Sequence, residues 1–181
     1  MAAAPYAIRV FGDPVLKHRC TEVDDVDETI RKLTEDMITT MYDAPGVGLA
    51  APQIGVQKRF FVYDDGDGEG ARTMINPEII ETSGEFLWDE GCLSVPGIFF
   101  PIERPNRVRI AGVDVEGHPV EFVADGFLGR ILQHEVDHLN GTLMLDRLND
   151  TQRKQALREL RERDMRQPPL TNPRQPPKPR P

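Results

Sequence analysis

The stretch Gln133-His134-Glu135-Val136-Asp137-His138-Leu139 places two histidines four positions apart around a glutamate. On an α-helix, positions i and i+4 lie on the same face. His134 and His138 can therefore bind one metal ion together, while Glu135 stands beside them as a group able to move protons. This pattern is typical of a metal hydrolase built on a single turn of helix.

The surroundings of this stretch predict a largely buried helix over residues 124–139. Apolar residues recur at helical spacing within it, namely Phe127, Leu128, Ile131, Leu132 and Leu139. Asn140-Gly141 then supplies a preferred helix end. The alternative, two surface histidines on an acidic helix, is less favoured because buried polar groups need partners and a metal provides one.

Further elements follow on both sides of this helix. An amphipathic helix is predicted over residues 28–42, and the Gly/Asp-rich stretch 64–70 is predicted to be a hairpin connection rather than a calcium loop. Strands are predicted at Phe60–Tyr63, 74–80, 84–88, 107–115 and 120–123, and a last helix at 151–166. This order predicts an α+β fold: mixed or antiparallel β-sheets packed with helices.

The charge is unevenly distributed along the 181 residues, whose formal net charge is −8. Residues 151–181 contain nine Lys/Arg and three Asp/Glu, so their net charge is +6 and that of residues 1–150 is −14. An acidic body argues against DNA as a partner, whereas the basic end suits an anionic partner or is simply a solvated helix. Residues 167–181 contain seven prolines and are predicted to be a disordered or extended tail.

The chain is predicted to be one domain over residues 1–166, with a motif-bearing core over about 6–150 and a C-terminal helix over about 151–166. Neither a secretory signal nor a membrane span is recognised in the sequence, so no membrane partner is expected. The two cysteines, Cys20 and Cys92, form no disulfide pattern. The expected location is the cytoplasm, where thiols stay reduced.

Two histidines do not complete a metal site, and the usual third ligands are His, Glu or Cys. His18 and His118 have no suggestive neighbours and are interpreted as surface residues. Cys92 lies in Glu90-Gly91-Cys92-Leu93-Ser94, at a predicted strand or turn edge, and is either a ligand or a small buried side chain. A glycine-containing stretch, Gly46-Val47-Gly48-Leu49-Ala50-Ala51-Pro52-Gln53, permits close approach of backbone to a ligand.

Together these segments resemble the peptide deformylase family. The stretch 46–53 is similar to the family's first motif, 90–94 to its second, and Gln133-His134-Glu135-Val136-Asp137-His138-Leu139-Asn140-Gly141 to its third. Gly12-Asp13-Pro14-Val15-Leu16 is similar to the family's opening. The resemblance covers roughly residues 6–150 and implies β-sheets around a central helix that carries the third motif.

The resemblance implies an enzyme that removes the N-formyl group from the formyl-methionine of new polypeptides and releases formate. It makes Cys92, His134 and His138 the metal ligands and Glu135 the general base and acid for the attacking water. It assigns Gln53 and the backbone N–H of Leu93 to the formyl oxygen. Iron(II) is the metal expected in the cell, with zinc, nickel or cobalt as substitutes.

Substrate-binding residues are predicted around this centre. Gly46 and Gly48 offer backbone for strand-like pairing with the peptide, and Val47, Phe127 and Ile131 are candidates for an apolar pocket. Glu90 and Gly91 are also predicted to bind the substrate. Many bacterial members carry an arginine shortly after the second motif, but Gly97-Ile98-Phe99-Phe100 stands there in this chain. This apolar run more closely resembles the version found in actinobacterial members. The role of Glu90 is therefore open.

Three other interpretations compete. A zinc peptidase shares the His-Glu-x-x-His pattern but takes its third ligand downstream, and a metal-bearing, non-catalytic module attached to ribosomes needs neither Glu135 nor Gln53. An enzyme with a cysteine nucleophile is less favoured, because histidines at i and i+4 suit a metal better. The basic C-terminal helix is a candidate contact to the ribosome in a deformylase as well.

Overall fold

The computed structural model describes residues 4–166, with side chains through Arg163. Three α-helices and seven strands follow one another in these residues. The helices are α1 (Glu28–Asp43), α2 (Gly126–Leu139) and α3 (Asp150–Arg166). The strands are β1 (Gly48–Ala50), β2 (Phe60–Tyr63), β3 (Arg72–Ser83), β4 (Phe86–Cys92), β5 (Val95–Arg104), β6 (Arg107–Val113) and β7 (Pro119–Asp125). Residues 167–181, predicted to be a proline-rich tail, lie outside the described residues.

The strands form two separate sheets. A five-stranded sheet has the order β1-β2-β3-β6-β7, and β4 pairs with β5 in a two-stranded ribbon. All of these strand pairings are antiparallel. Antiparallel strands can be joined by short hairpin connections. The Gly/Asp-rich stretch 64–70 is such a connection, as predicted, because it joins β2 to β3.

Helix α2 packs against the five-stranded sheet and forms the centre of the core. Its buried Leu132 and Leu139 belong to one apolar cluster with Phe61, Val108 and Ile110 of the sheet. The helix begins at Gly126 rather than at residue 124, because Ala124 and Asp125 still belong to β7. At Gly126 a φ of +54° turns the chain from strand to helix, a conformation that glycine tolerates best.

Helix α1 covers another part of the sheet. Its first turn is capped by Asp27, whose carboxylate accepts a hydrogen bond from the Ile30 backbone N–H at 2.9 Å. Met37 and Met41 are fully buried against Leu49 and Phe60. The helix ends one residue beyond the predicted range 28–42, within the usual uncertainty of helix ends.

The ribbon is where the sequence-based prediction was least accurate. The strand predicted over 84–88 continues to Cys92, and β5 was not predicted at all. Pro96 and Pro101 lie within β5, and proline is tolerated there because the ribbon has only two strands and therefore free edges. The alternation of buried Ile98, Phe100 and Ile102 with exposed neighbours marks it as a strand.

Helix α3 closes the far side of the ribbon. Its buried Ala156, together with Leu157 and Leu160, packs against Ile98 and Phe100 of β5. The prediction of an α+β fold, with sheets packed around the central helix that carries His134 and His138, is confirmed. Within residues 4–166, no helix has the length and apolar character needed to cross a lipid bilayer.

Candidate active site

Two elements bring together a cysteine and two histidines. Helix α2 presents His134 and His138 on one face, and Cys92 stands at the end of β4. One ligand atom of each lies within 4.8 Å of the others. The Nε2 atoms of the two histidines are 3.2 Å apart, and the Cys92 Sγ is 3.3 Å from the His138 Nε2. The three predicted ligands therefore converge on one point.

The donor atoms fit a transition metal. Cysteine sulfur and imidazole nitrogen are both ligands that transition metals accept, and three protein ligands leave a further position for water or substrate. Burial lowers the pKa of His138 well below its usual range, which favours the neutral imidazole that binds metals. Burial also disfavours charge on His134, but the neighbouring Cys92 and Glu90 side chains outweigh it and raise its pKa. The Glu90 carboxylate behind His134 also favours a cation near the three side chains.

Glu90 orients one of these histidines. Its Oε1 lies 2.6 Å from the Nδ1 of His134, so the Nε2 of that ring faces Cys92 and His138. A carboxylate on the far nitrogen of a ligating histidine fixes the ring orientation and increases its basicity. Glu90, predicted as a substrate-binding residue, therefore also positions the ring of His134.

Two buried arginines hold Glu90 in turn. Arg104 of β5 donates to both of its carboxylate oxygens, at 2.6 and 2.7 Å, and Arg130 of α2 donates to Oε2 at 2.7 Å. Arg104 also donates to Asp137 at 2.9 Å. Burial alone raises the pKa of Glu90, but the bonds from Arg104 and His134 reverse this and lower it well below its usual range.

This network answers the question left by the missing arginine after the second motif. Arg104 supplies a guanidinium to Glu90 from later in β5, and Arg130 supplies a second from the motif helix. Sequence reasoning missed both arginines. One signal was present: Asp137 is a carboxylate inside a predicted buried helix, and such a group requires a cationic partner.

Glu135 lies in α2 between the two histidines and is only 4% exposed. Its Oε2 has no hydrogen-bond partner among the described residues. Burial raises the pKa of Glu135 to about 7. Gly48 of β1 packs directly against this carboxylate, and a methyl group on Gly48 would overlap Oε1. The chain thus keeps a buried, unpartnered carboxylate oxygen beside the ligand cluster, where it is able to exchange a proton.

Gln53 approaches the same centre from a short 3₁₀ helix, Ala51–Ile54. Its Oε1 accepts a hydrogen bond from the Ala50 backbone N–H at 2.8 Å, which fixes the orientation of the amide. The Nε2 donates to Ser94 Oγ at 3.1 Å and lies 4.0 Å from Cys92 Sγ. An oriented N–H donor therefore stands next to the three candidate ligands, and Ser94 is a contact that sequence reasoning missed.

A cavity of about 460 Å³ opens onto this cluster. All seven predicted substrate-binding residues line it: Gly46, Val47, Gly48, Glu90, Gly91, Phe127 and Ile131. Leu93, at the turn between β4 and β5, lines it as well. Ile131 is buried, whereas Val47 and Phe127 are about half exposed at the rim. Trp88 and Phe99 of the ribbon also line the cavity and were not predicted.

The remaining candidates lie apart from this cavity. His18 and His118 are exposed, as predicted. Asp64, Asp65 and Asp67 have carboxylate oxygens within 4.8 Å of one another, but Arg72 forms ion pairs with Asp65 and Asp67. One guanidinium thus pairs with two of the three carboxylates, and Asp64 accepts a hydrogen bond from Tyr42, so all three are held within the hairpin connection between β2 and β3.

Comparison with known proteins agrees with this geometry. The family model described as Polypeptide deformylase matches residues 5–154. Peptide deformylase 1 of Clostridium perfringens is 50% identical over 139 residues, which cover 77% of this chain and 95% of that relative.

Solved structures show the same fold. The crystal structure of a peptide deformylase from Legionella pneumophila matches with a TM-score of 0.84 and 41% identity, over 90% of this chain and 99% of that one. The crystal structure of the enzyme from Thermotoga maritima matches with a TM-score of 0.77 and 49% identity, over 80% of this chain and 97% of that one. The chain therefore belongs to the polypeptide deformylase family, whose members are metal-dependent hydrolases that remove N-formyl groups.

Proposed function

We propose that this chain removes the formyl group from N-formylmethionyl nascent peptides, with Cys92, His134 and His138 holding one divalent metal and Glu135 moving the proton. The observation that carries the assignment is the unpartnered Oε2 of buried Glu135 beside that ligand cluster. A purely structural metal site would use four protein ligands and would need no such carboxylate.

A metal bound by these residues would polarise the formyl carbonyl and lower the pKa of a coordinated water from 15.7 toward about 7. Glu135 accepts a proton from the attacking water and then delivers it to the leaving amine. A carboxyl group with a pKa of about 7 suits both steps, because it is neither fully protonated nor fully ionised at neutral pH. Formate and a free amino terminus are the products.

Gln53 and Leu93 stabilise the charge that develops on the formyl oxygen. The Gln53 amide is held in place by Ala50, so its Nε2 is oriented before substrate arrives. Preorganised donors of this kind stabilise a transition state without a further cost of reorientation. Gly46 and Gly48 pair with the peptide backbone, while Val47, Phe127 and Ile131 receive the methionine side chain.

The first experiment measures formate release from formyl-Met-Ala-Ser by anaerobically purified protein with quantified metal. The Glu135→Ala variant is expected to keep its metal and to lose at least about 100-fold in kcat. Glu121→Ala, on the exposed face of β7, is the matched control and retains activity. Bound metal without formate release by the unaltered chain would contradict the proposal and favour the peptidase or the non-catalytic module.

Iron(II) is the metal that we propose for the cell. The ligand set of one thiolate and two imidazoles accepts several transition metals, so the choice depends on supply as well as affinity. An iron form is expected to lose activity in air, whereas a cobalt or nickel form retains it. Activity of the metal-reconstituted forms, followed during storage with and without oxygen, checks this. Equal stability of all forms in air would contradict it.

We propose a cytoplasmic location because the proposed ligand Cys92 requires a reducing compartment. A ligating thiol has to stay reduced, and both cysteines are free in the structure. Nascent formylated peptides are the partners at that location.

The ribosome is a further proposed partner, bound through α3. The exposed Lys154, Arg158 and Arg161 of α3 form a basic surface on a protein that is otherwise acidic. Removing the helix would uncover the core around Ala156, so charge reversal of the three residues is the cleaner test. We expect weaker sedimentation with ribosomes, while reversal of exposed Arg19, Lys32 and Arg107 serves as control. Unchanged sedimentation would refute the contact.

A further inference from the structure

The ribbon has an irregularity at the edge of the active-site cavity. Cys92 pairs with Val95, but its neighbour Gly91 pairs with Phe99, so the three residues between these partners bulge out of the ladder. Gly97, in the middle of the bulge, has a φ of +70°, which glycine adopts without strain. The bulge lines the cavity and lies one strand away from the proposed ligand Cys92.

The guanidinium of Arg163 lies directly on this bulge. A methyl group built on Gly97 would come within 2.7 Å of the Arg163 Cζ and 3.1 Å of its Nη2. Leu160, one turn earlier in α3, packs against the apolar cluster that contains Ile98 of the bulge, which anchors that end of the helix. The absence of a side chain at Gly97 is therefore what lets a cation from the C-terminal helix pack against a residue that lines the cavity.

Arg163 is not neutralised by the part of the chain for which side chains are described. No carboxylate within residues 4–163 forms an ion pair with it, whereas Arg153 of the same helix pairs with Asp146. Its side chain is exposed. An arginine that packs on a glycine at the edge of a cavity presents up to five N–H donors to a ligand leaving that cavity.

The proposed reaction determines which part of the substrate lies near the bulge that contains Gly97. The formyl end of the peptide reaches Cys92, His134 and Glu135, so the residues after methionine have to leave through the cavity mouth. A carboxylate side chain on one of these residues would be attracted by the exposed Arg163 guanidinium. The opposite charge, on lysine or arginine, would be repelled.

We propose that Arg163 is a specificity-determining residue that favours nascent peptides with an acidic side chain at the second or third position. The inference rests on the proposed deformylase function and adds a preference beyond the first methionine. An exposed ion pair is a modest interaction, so the expected preference in kcat/KM is about two- to fivefold. Salt screens such pairs, so the preference is expected to fall at 1 M ionic strength, where the Debye length is about 3 Å.

The test compares matched formylated peptides that differ only in Asp or Asn at the second or third position. The unaltered, metal-loaded enzyme is expected to prefer Asp at one of these positions, mainly through a lower KM. Arg163→Gln is expected to bring the Asp/Asn ratio of kcat/KM to about one, while Arg163→Lys retains part of the preference. Arg161→Gln removes the same charge from the opposite side of α3 and is expected to keep the full preference.

Different outcomes would overturn the role of Arg163 and the proposed deformylase function. Formate release with an Asp/Asn ratio near one in the unaltered enzyme, or a ratio that Arg163→Gln leaves unchanged, would overturn the role of Arg163 alone. An equal loss of preference in Arg161→Gln would also overturn it, since the effect would then be general charge. Absence of formate release from every peptide would overturn the proposed function itself.

Discussion

Single side chains in the candidate active site are held by specific hydrogen bonds, some local and some from residues far away in the sequence. The amide of Gln53 is oriented by Ala50 and contacts Ser94, and the ring of His134 is oriented by Glu90. In both residues one polar atom is used for positioning and another lies close to the candidate ligands, the Gln53 Nε2 near Cys92 and the His134 Nε2 near His138. Gln53 and His134 thus each combine a structural hydrogen bond with a proposed role in the active site.

We expect Gln53→Ala to lower kcat by about 10²–10³-fold while metal stays bound, because one preorganised donor to the formyl oxygen is lost. The substitution also removes the acceptor of the buried Ala50 N–H, which we expect to cost about 1–3 kcal/mol of the free energy of unfolding. Steady-state kinetics, metal analysis and denaturant unfolding measure the three quantities separately. Unaltered kcat at full metal occupancy would remove Gln53 from the mechanism.

The second cysteine offers a contrast in reactivity. Burial raises the pKa of Cys20 to about 11, so the neutral thiol dominates at pH 8 and about one molecule in a thousand carries the thiolate. In a Cys92→Ala background we expect Cys20 to react with a thiol reagent more than 100-fold more slowly in the folded than in the unfolded protein. Reaction should accelerate as pH rises toward 11. Rapid labelling at pH 8 would contradict the burial of this thiol.

At the scale of elements, the active site is formed by residues from four secondary-structure elements. Strand β1 and the 3₁₀ helix bring Gly48 and Gln53, β4 brings Glu90 and Cys92, and α2 brings the motif. Ion pairs join the ribbon to the helix, since Arg104 of β5 binds Glu90 of β4 and Asp137 of α2 at once. The ribbon thus depends on buried charge as well as on apolar packing.

Arg104→Met is therefore expected to destabilise the protein by about 3–5 kcal/mol, because it leaves two buried carboxylates without this partner. Arg109→Met is the matched control: its ion pair with Glu121 is exposed, so the expected cost is below about 1 kcal/mol. Denaturant unfolding compares the two. Equal stability of the variants would show that the buried network adds little to the fold.

For the whole molecule, α3 completes a core that the other elements leave open. Ala156, Leu157 and Leu160 cover Ile98 and Phe100, the outer side of the ribbon that carries Cys92. The same helix places Arg163 against Gly97, which lines the cavity, and exposes Lys154, Arg158 and Arg161 elsewhere on its surface. Stability, the proposed substrate preference and the proposed ribosome contact therefore all depend on this one helix.

A chain ending at residue 149 is expected to lose several kcal/mol in the free energy of unfolding, since each large apolar side chain returned to water costs about 1.5–3 kcal/mol. A chain ending at residue 166 retains α3 and is expected to match the full chain within about 0.5 kcal/mol. Thermal and denaturant unfolding of the three lengths measure this. Equal stability of the shortest chain would contradict a structural role for α3.

Local sequence determined the parts of this protein that depend on short-range spacing. The i, i+4 histidines require only a helix to share a face, and the apolar periodicity of residues 28–42 and 124–139 marks both helices. The motif segments at 46–53, 90–94 and 133–141 were sufficient to indicate the family, which the comparisons confirm.

Only the tertiary structure decided how distant residues meet. Strand β5 escaped prediction because its prolines are tolerated at the free edges of a two-stranded ribbon, a context that no local pattern reveals. Arg104 and Arg130 converge on Glu90 from 14 and 40 residues away, and Arg163 of helix α3 reaches Gly97 of strand β5. Such ion pairs and close approaches depend on which surfaces pack together, and that is a property of the folded chain.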